Sequence, residues 1–362
     1  MVYSVIGIMS GSSLDGIDLV FASLQEQSGN WQYQIQYAEC VPYSALWRNK
    51  LLHATGLPAK EYLLLHTEYG ELIGKEINHF IDAHQLYHRV NFISVHGHTT
   101  FHLPRLGVTH QLGNGATIAA ITKLPVITDL RSMDVAFGGQ GAPIVPMGEK
   151  LLFPDHKYFL NLGGIANVSI HQPETVVAFD VCPANKVLNM LVSEMGMDYD
   201  DEGKISSRGR INEDLLGRLN ELPYYQLSYP KSLANDFGTQ TVYPLVKSFA
   251  LKAEDELRTF TEHVCVQIAN QLRPFTQSNL RQLFITGGGA FNSFLIKRLN
   301  EKLQPINLES IIANDTTVKF KEALIMALLG TLRWREQYNV LSSVTGAERD
   351  SIGGALWLGT EA

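Results

Sequence analysis

The sequence predicts an α/β protein built from two copies of one structural plan. Three observations carry that expectation. The chain has 362 residues, more than one ordinary core accommodates and a good fit to two domains of about 150–200 residues each. Short β-rich runs alternate with longer stretches whose apolar residues recur at helical spacing. The order strand, glycine turn, strand, strand, then helices opens each half of the chain.

Residues 2–9 are β-rich, break at a turn over 10–16 and resume as Ile17-Asp18-Leu19-Val20-Phe21, which reads as a hairpin. A third strand is expected at about 32–40. From 60 to 84, Leu64, Leu65, Tyr69, Leu72, Ile73, Ile77, Phe80 and Ile81 fall at helical spacing and predict a long amphipathic helix. Asn91–Val95 reads as a short buried strand ending at His96-Gly97. Asn114 caps a helix running to Lys123, and Pro125–Thr128 forms another strand. In the second half, strand 157–162, the turn Gly163-Gly164-Ile165-Ala166, and strands 167–171 and 175–179 precede helices from 184 onward. Leu283–Thr286 runs through Gly287-Gly288-Gly289 into a helix from Phe291, and a further helix spans 319–334. No short repeat is visible, so the duplication is architectural. The glycines and prolines of GGQGAPIVP place a hinge near Asp129–Pro146. The expected domains are 1–129 plus about 342–362, and 130–341, with a cleft between them.

Composition narrows the functional classes. Hydrophobic residues make up 45% of the chain and charged residues 18%, enough apolar material for packed cores throughout. The net charge of −7 has no basic block, which argues against a phosphate-backbone footprint for nucleic acid and favours a small-molecule substrate. The start MVYSVIGIMSGSS lacks the charged and apolar regions of a signal peptide, and no apolar run reaches the roughly 18 residues needed to span a bilayer. A cytoplasmic protein is expected. Cys40, Cys182 and Cys265 are widely separated with no CxxC pair, so neither a disulfide framework nor a thiolate zinc site is indicated.

Several segments bear chemistry. In Ser10–Asp18 the glycines at 11 and 16 allow backbone approach to an anion, Ser12 and Ser13 can donate to phosphate oxygens, and Asp15 or Asp18 can hold Mg²⁺ through water. No GxxxxGK[ST] loop occurs, and the same residues also suit an ordinary hairpin turn. Leu162-Gly163-Gly164-Ile165-Ala166-Asn167 stands at the matching place in the second half. Ile285-Thr286-Gly287-Gly288-Gly289-Ala290-Phe291-Asn292 enters a helix through three glycines, which suits a flat base against bare backbone or simply tight strand-helix packing. Asp180, after the apolar strand Val176–Phe179, is the candidate general base, with an N-cap as its alternative role. His96, His98 and His102 follow no recognised metal-ligand spacing and suit hydrogen bonding to a polar substrate. Arg131 and Asp134 in DLRSMD suit a carboxylate, a phosphoryl group or an interdomain salt bridge.

With these segments in order, the sequence resembles the anhydro-N-acetylmuramic acid kinases of the sugar kinase, Hsp70 and actin superfamily. The resemblance runs through GIMSGSSLDGID (7–18), SVHGHTTFH (94–102), QLGNGATIAA (111–120), DLRSMDVAFGGQGAPIVP (129–146), LNLGGIANVS (160–169), ITGGGAFN (285–292), KEAL (321–324) and VTGAERD (344–350). It implies two ribonuclease-H-like domains of the actin and hexokinase type flanking an ATP cleft. It also implies ATP and Mg²⁺, a homodimer, and a role in amino sugar catabolism and peptidoglycan recycling. The implied reaction opens the 1,6-anhydro ring of anhydro-N-acetylmuramate with water and phosphorylates O6, giving N-acetylmuramate 6-phosphate and ADP. Asp180 would activate the water. Gly11, Ser12, Ser13, Leu14, Asp15, Gly16, Ile17 and Asp18, with Gly163, Gly164 and Asn167, would contact the phosphates, and Gly287, Gly288, Gly289 and Asn292 the nucleoside. His96, Thr99, Arg131 and Glu322 would bind the sugar, Arg131 near its lactyl carboxylate.

Two departures from the family pattern stand out. Where many members carry DxGPGN, this chain has Asp180-Val181-Cys182-Pro183-Ala184-Asn185, and where many carry KSTGRE it has Lys231-Ser232-Leu233-Ala234-Asn235-Asp236. These leave open a kinase acting on another sugar or a small carboxylic acid. The superfamily also leaves open a non-catalytic nucleotide-binding switch.

Overall fold

The structure, a computed structural model, describes residues 1–11, 13–229, 231–233 and 236–359. The chain divides into two compact units, Met1–Pro154 with Phe320–Ala362, and Asp155–Lys319. The boundaries expected at 129/130 and 341/342 therefore fall inside the first unit. Packing explains the difference. A Cβ on Gly148 would lie 2.5 Å from the Ile325 side chain, and Glu149 meets Lys321 at 2.7 Å with both side chains buried, so 130–154 and 320–341 share one core.

The first unit opens with an antiparallel meander, β1 (Val2–Ser10), β2 (Gly16–Gln27) and β3 (Asn30–Pro42). Helices α1 (Ala45–Leu52) and α2 (Ala59–Ala83) follow. β4 (Phe92–Leu103) pairs parallel with β1, and β5 (Val108–Leu112) folds back on the outer half of β4. Next come α3 (Gly115–Thr122), β6 (Val126–Thr128) parallel to β4, α4 (Ser132–Ala136) and α5 (Val145–Leu152). The strand expected to stop at His96-Gly97 continues to Leu103, because Gly97, at φ 75°, shifts the register and lets the strand go on.

The second unit begins with its own meander, β7 (Tyr158–Leu162), β8 (Ile165–His171) and β9 (Val176–Pro183). Helices α6 (Asn185–Ser193), α7 (Glu213–Asn220), α8 (Tyr243–Lys247) and α9 (Ala253–Leu272) precede β10 (Arg281–Thr286), which lies parallel to β7. Then come α10 (Ser293–Leu303) and β11 (Leu308–Ile312). The chain closes with α11 (Asp315–Trp334), α12 (Ser342–Thr345) and β12 (Ala355–Trp357), the last pairing with β6.

The sheet orders are β3-β2-β1-β4-β6-β12 and β9-β8-β7-β10-β11. In each, a three-stranded meander is extended by parallel strands added beside its first strand. This shared order is the ribonuclease-H-like plan, seen twice in one chain. Alternation places the layers in the first unit. Ile6, Ile8, Ile17, Leu19 and Phe21 point to one face and bury against Tyr69, Ile73, Ile77 and Phe80 of α2. Leu64, expected at the same helical spacing, is exposed. On the opposite face a Cβ at Gly7 would lie 2.1 Å from the Ala323 carbonyl oxygen, so glycine there lets α11 seat directly on β1. The helical run expected from Phe291 begins instead at Ser293, after a tight turn over Gly288–Phe291.

Candidate active site

The first unit carries the turn between β1 and β2. Asp15 organises it: its Oδ1 accepts from the Ser13 hydroxyl at 2.7 Å and from the Gly16 amide at 3.0 Å, an arrangement typical of short acidic turns. Leu14 adopts φ 57°, and a Cβ at Gly11 would meet nothing closer than 3.4 Å. The fold therefore does not require glycine at 11, and that side of the turn is open. Gly16 differs, since a Cβ there would meet the Val41 carbonyl oxygen at 2.5 Å; its smallness serves packing on β3. The Ile17 side chain is buried in the core, and Ser12 lies outside the described residues. Asp18, half-buried, has its pKa raised to about 6 by burial, with Asp15 and Glu322 adding repulsion against a hydrogen bond from Cys40.

On β4 and the segment after β6, the sugar candidates form a braced group. Arg131 Nε donates to His96 Nε2 at 2.9 Å, and Arg131 Nη1 donates to the Gly141 carbonyl at 3.1 Å. Because a guanidinium only donates, His96 Nε2 must accept, and its Nδ1–H then donates to the Gly97 carbonyl at 2.8 Å. Burial holds the His96 pKa down at about 3, so the ring is neutral. His96 is thus a buttress that aims Arg131. Burial lowers the Arg131 pKa to about 10, with Glu322 opposing the shift, and the guanidinium remains a cation at pH 7. Burial raises the pKa of half-buried Glu322. Thr99 receives a long contact from Gln111 Nε2 at 3.5 Å. Asp134 is fully buried and accepts from Gly141 N–H and from the Thr345 hydroxyl, both at 2.7 Å, so it ties the DLRSMD and VTGAERD segments together.

The second unit presents a polar row across an apolar sheet. Strand register sets Thr286 of β10 opposite Asn161 of β7, Asn161 opposite Asn167 of β8, and Asn167 opposite Asp180 of β9. Directly opposed residues share a face. The flanking Leu160, Leu162, Val168 and Phe179 are buried. Asp180 lies within β9, which bulges there and continues to Pro183. Helix α6 starts at Asn185 behind Ala184, so Asp180 is not its cap. Its Oδ2 accepts from the Leu233 amide at 2.9 Å, and its carbonyl accepts from the Tyr224 hydroxyl at 2.6 Å. Burial raises its pKa, against the Leu233 hydrogen bond, which lowers it. Cys182 is fully buried, and burial pushes its thiol pKa up; it fills space.

The glycine turns of this unit divide by role. A Cβ at Gly163 or Gly164 would meet only ordinary contacts at 3.5 Å or more, and one at Gly288 nothing closer than 3.8 Å, so the fold leaves these positions open to a ligand. Gly287, at φ 84°, and Gly289 sit against Asn161 and Leu162 within 2.8 Å of a would-be Cβ, which is strand-helix packing. Asn292 caps α10, its Oδ1 accepting from Leu295 N–H at 2.9 Å. Asn185 joins the turns: its amide donates to Gly163 O at 3.1 Å and its Nδ2 to Leu162 O at 2.9 Å. Sequence reasoning missed Asn161 and Thr286 as parts of this row and the Leu233 amide as its anchor at Asp180; only Asn185 had a signal, as the retained end of its motif.

A duplicated ribonuclease-H-like chain with a hydroxyl- and carboxylate-bearing turn in one unit and a raised carboxyl in the other has the features of a phosphotransferase. A family profile described as anhydro-N-acetylmuramic acid kinase matches residues 3–359. The chain is 30% identical over 370 residues to the anhydro-N-acetylmuramic acid kinase of Sulfurimonas denitrificans, covering 97% of this chain and 98% of that one. It is 31% identical to that of Vibrio parahaemolyticus, covering 97% of each, and 31% identical to that of Synechococcus elongatus, covering 98% and 100%. Among solved structures, the activator of the 2-hydroxyisocaproyl-CoA dehydratase from Clostridium difficile with bound ADPNP aligns over 93% of this chain and 96% of that one, at 16% identity and a TM-score of 0.44. The fold assignment rests on the strand orders above. The chain belongs to the anhydro-N-acetylmuramic acid kinase family, ATP-dependent sugar kinases whose role is peptidoglycan recycling.

Proposed function

We propose that Asp180 is the base in a coupled ring opening and phosphorylation of anhydro-N-acetylmuramate. In this reading Asp180 accepts a proton from water as the water oxygen bonds to C1 of the anhydro sugar. The C1–O6 bond breaks, O6 bonds to the γ-phosphorus of ATP, and the bond from that phosphorus to the β-phosphate oxygen breaks. The products are N-acetylmuramate 6-phosphate and ADP.

One observation carries the reading: Asp180 is the half-buried carboxylate that ends a polar row, with one oxygen fixed by the Leu233 amide and its proton affinity raised by burial. A base gains from that combination of fixed direction and raised proton affinity. Gly163, Gly164 and Gly288 supply open backbone toward the nucleotide, and the 11–15 turn supplies Ser13 and its amides. Arg131, aimed by His96, supplies the cation for the lactyl carboxylate, with Thr99 and Glu322 as its polar neighbours in the reading.

The residues of the turn fit Mg²⁺ held through water. Burial chiefly, with repulsion from Asp15 and Glu322 adding to it, raises the Asp18 pKa, and neighbouring carboxyls of this kind gain from a cation. No group of three His, Cys, Asp or Glu is arranged as a direct metal cage among the described residues. Mg²⁺ would supply charge neutralisation for the transferring phosphoryl group. A homodimer belongs to the same reading on the family resemblance, and sedimentation equilibrium tests it. Cytoplasmic location fits the finding that no helix among the described residues is long and apolar enough to cross a membrane.

The deciding measurement is the mass of the product formed from the anhydro sugar and ATP. A gain of both water and one phosphate is expected. A gain of phosphate alone would overturn the coupled reaction, and an inert anhydro sugar would overturn the substrate.

A further inference from the structure

Three hydroxyls and one imidazole form a buried chain directly behind the 11–15 turn. The hydroxyls of Tyr69 and Tyr43 meet, Tyr43 Oη lies 2.7 Å from Ser10 Oγ, and Ser10 Oγ lies 3.1 Å from His98 Nδ1. All four side chains are more than nine-tenths buried. Burial raises the Tyr43 and Tyr69 pKa values, Tyr69 to about 12, and lowers that of His98 to about 4, so every member is neutral at pH 7. Tyr69 has no hydrogen-bond acceptor outside this chain among the described residues. Within it Tyr69 also hydrogen-bonds Ser10, so the three hydroxyls and His98 Nδ1 satisfy one another.

Tyr43 touches the turn at both ends. Its hydroxyl hydrogen-bonds Ser10, the last residue of β1, and its backbone amide donates to the Asp15 carbonyl at 3.1 Å. Pairing of β2 with β3 begins just beyond, at Gly16 with Pro42. The ring packs in the apolar core beside Ile17 and Tyr69. A tyrosine kept only for packing would gain nothing from its hydroxyl, because a buried hydroxyl costs stability unless it is bonded. Here that bond reaches the residue from which the turn departs.

We propose that Tyr43 is the positioning residue of the phosphate turn: by holding Ser10 through its hydroxyl and Asp15 through its amide, it fixes the spacing of the turn's ends and hence the reach of the turn toward the nucleotide phosphates. This rests on the reading of the 11–15 turn as a phosphate contact. Tyr43 does not itself touch the nucleotide; it acts through Ser10.

The test uses the full chain and measures KM for ATP, KM for the anhydro sugar, kcat, Kd for ADP and Tm. Tyr43→Phe keeps the ring and removes one hydrogen bond, so KM for ATP and Kd for ADP should rise roughly 3- to 10-fold, with KM for the sugar within about twofold, the margin expected where no contact changes. Ser10→Ala removes that bond from the other side together with the Ser10–His98 bond and should likewise raise KM for ATP and Kd for ADP more than KM for the sugar, which covers the case in which Tyr43→Phe does not fold. A loss of kcat and Tm with unaltered KM for ATP in both variants, or equal rises in both KM values, would make Tyr43 a core residue only and overturn the proposal. Gly11→Val separates the two readings. If it leaves nucleotide affinity unchanged, the turn is not a phosphate contact; if it weakens affinity while Tyr43→Phe and Ser10→Ala do not, the positioning role alone is wrong.

Discussion

Asp180→Asn removes a proton acceptor while preserving shape. The native carboxylate takes one hydrogen bond at Oδ2 from the Leu233 amide, 2.9 Å away. An asparagine oxygen can accept that same bond, so the 231–233 segment keeps its anchor. The bulge of β9 is set by backbone pairing with β8, which the substitution does not alter. What is lost is the capacity to hold a proton taken from water. General-base assistance is worth about 10²- to 10⁴-fold in rate, or about 3–5.5 kcal/mol of barrier, and that loss should fall on kcat with KM for ATP nearly unchanged. ADP release coupled to a chromogenic reporter measures it, and calorimetric titration with ADP checks that nucleotide binding survives. The wild-type pH profile gives a second handle. Burial raises the Asp180 pKa above its ordinary 3.8, and only the ionised carboxylate can act as base. The wild-type rate should fall on the acid side as pH drops through that raised pKa, and the residual rate of Asp180→Asn should lack this limb. Turnover of the variant within threefold of wild type, a margin far inside the expected loss, would remove Asp180 from the mechanism.

Two further substitutions test the electrostatics of the first unit. Asp18 is ionised at pH 7 at a cost, because its folded pKa of about 6 exceeds the ordinary 3.8. The folded form binds its proton more tightly, so this group's penalty grows as pH rises from about 4 to 6 and is fully present above. Asp18→Asn should therefore raise the Tm of the nucleotide-free protein at pH 7.5, by an amount that vanishes near pH 4, while lowering Mg²⁺-dependent turnover; an unchanged or lower Tm at pH 7.5 would count against the strained carboxyl. Lys321→Met leaves Glu149 without the ammonium that it meets at 2.7 Å in a buried site. Breaking such a pair costs about 3–5 kcal/mol, a Tm loss of roughly 10 °C for a unit of this size. The double variant Glu149→Leu with Lys321→Met should recover most of it, and calorimetry that shows no recovery would refute the pairing argument.

The parts of the fold legible in the sequence were those encoded locally. The β1–β2 hairpin shows its turn chemistry, α2 shows its period, and Asn114 caps α3 as read, its Oδ1 accepting from Thr117 N–H at 2.9 Å. Strand β5, Val-Thr-His-Gln-Leu, was not legible, because its polar residues meet partners on β4 rather than a core: Gln111 reaches Thr99, Thr109 meets His102, and Thr100 reaches the His110 carbonyl. The unit boundary was misplaced for a related reason. Glycine and proline content marks where the backbone turns, while the boundary depends on what α5 packs against, and α11 lies far along the chain. Among the candidate site residues, Asp180 and the glycine turns announce themselves by residue type. Tyr43, Asn161 and Thr286 do not, since each matters through a partner that only the sheet register or the folded core supplies.

The two departures from the family pattern meet at Asp180, and their geometry bears on whether the chemistry survives them. Of the 231–236 run, the described contact to the Asp180 carboxylate is the amide of Leu233, with the Asp180 amide donating to the Lys231 carbonyl at 3.3 Å; Ala234 and Asn235 lie outside the described residues. Backbone groups make both bonds, so substitutions that keep the chain path keep the restraint on Asp180. In the 180–185 run, Cys182 and Ala184 replace glycines at fully buried positions, where their side chains fill the core. Asn185 still fastens the turn at Leu162-Gly163 through its amide and side chain. Lys231 adds a feature with its own consequence. Its ammonium lies 4.7 Å from the Tyr224 ring centroid, and burial lowers its pKa, while the Tyr224 hydroxyl holds the Asp180 carbonyl at 2.6 Å. Asp180 is thus framed by Lys231 on the Tyr224 ring, by the Tyr224 hydroxyl and by main-chain groups of the 231–233 segment. Under the proposed role of Asp180, its described restraints thus do not depend on the side chains at the replaced positions 182 and 184.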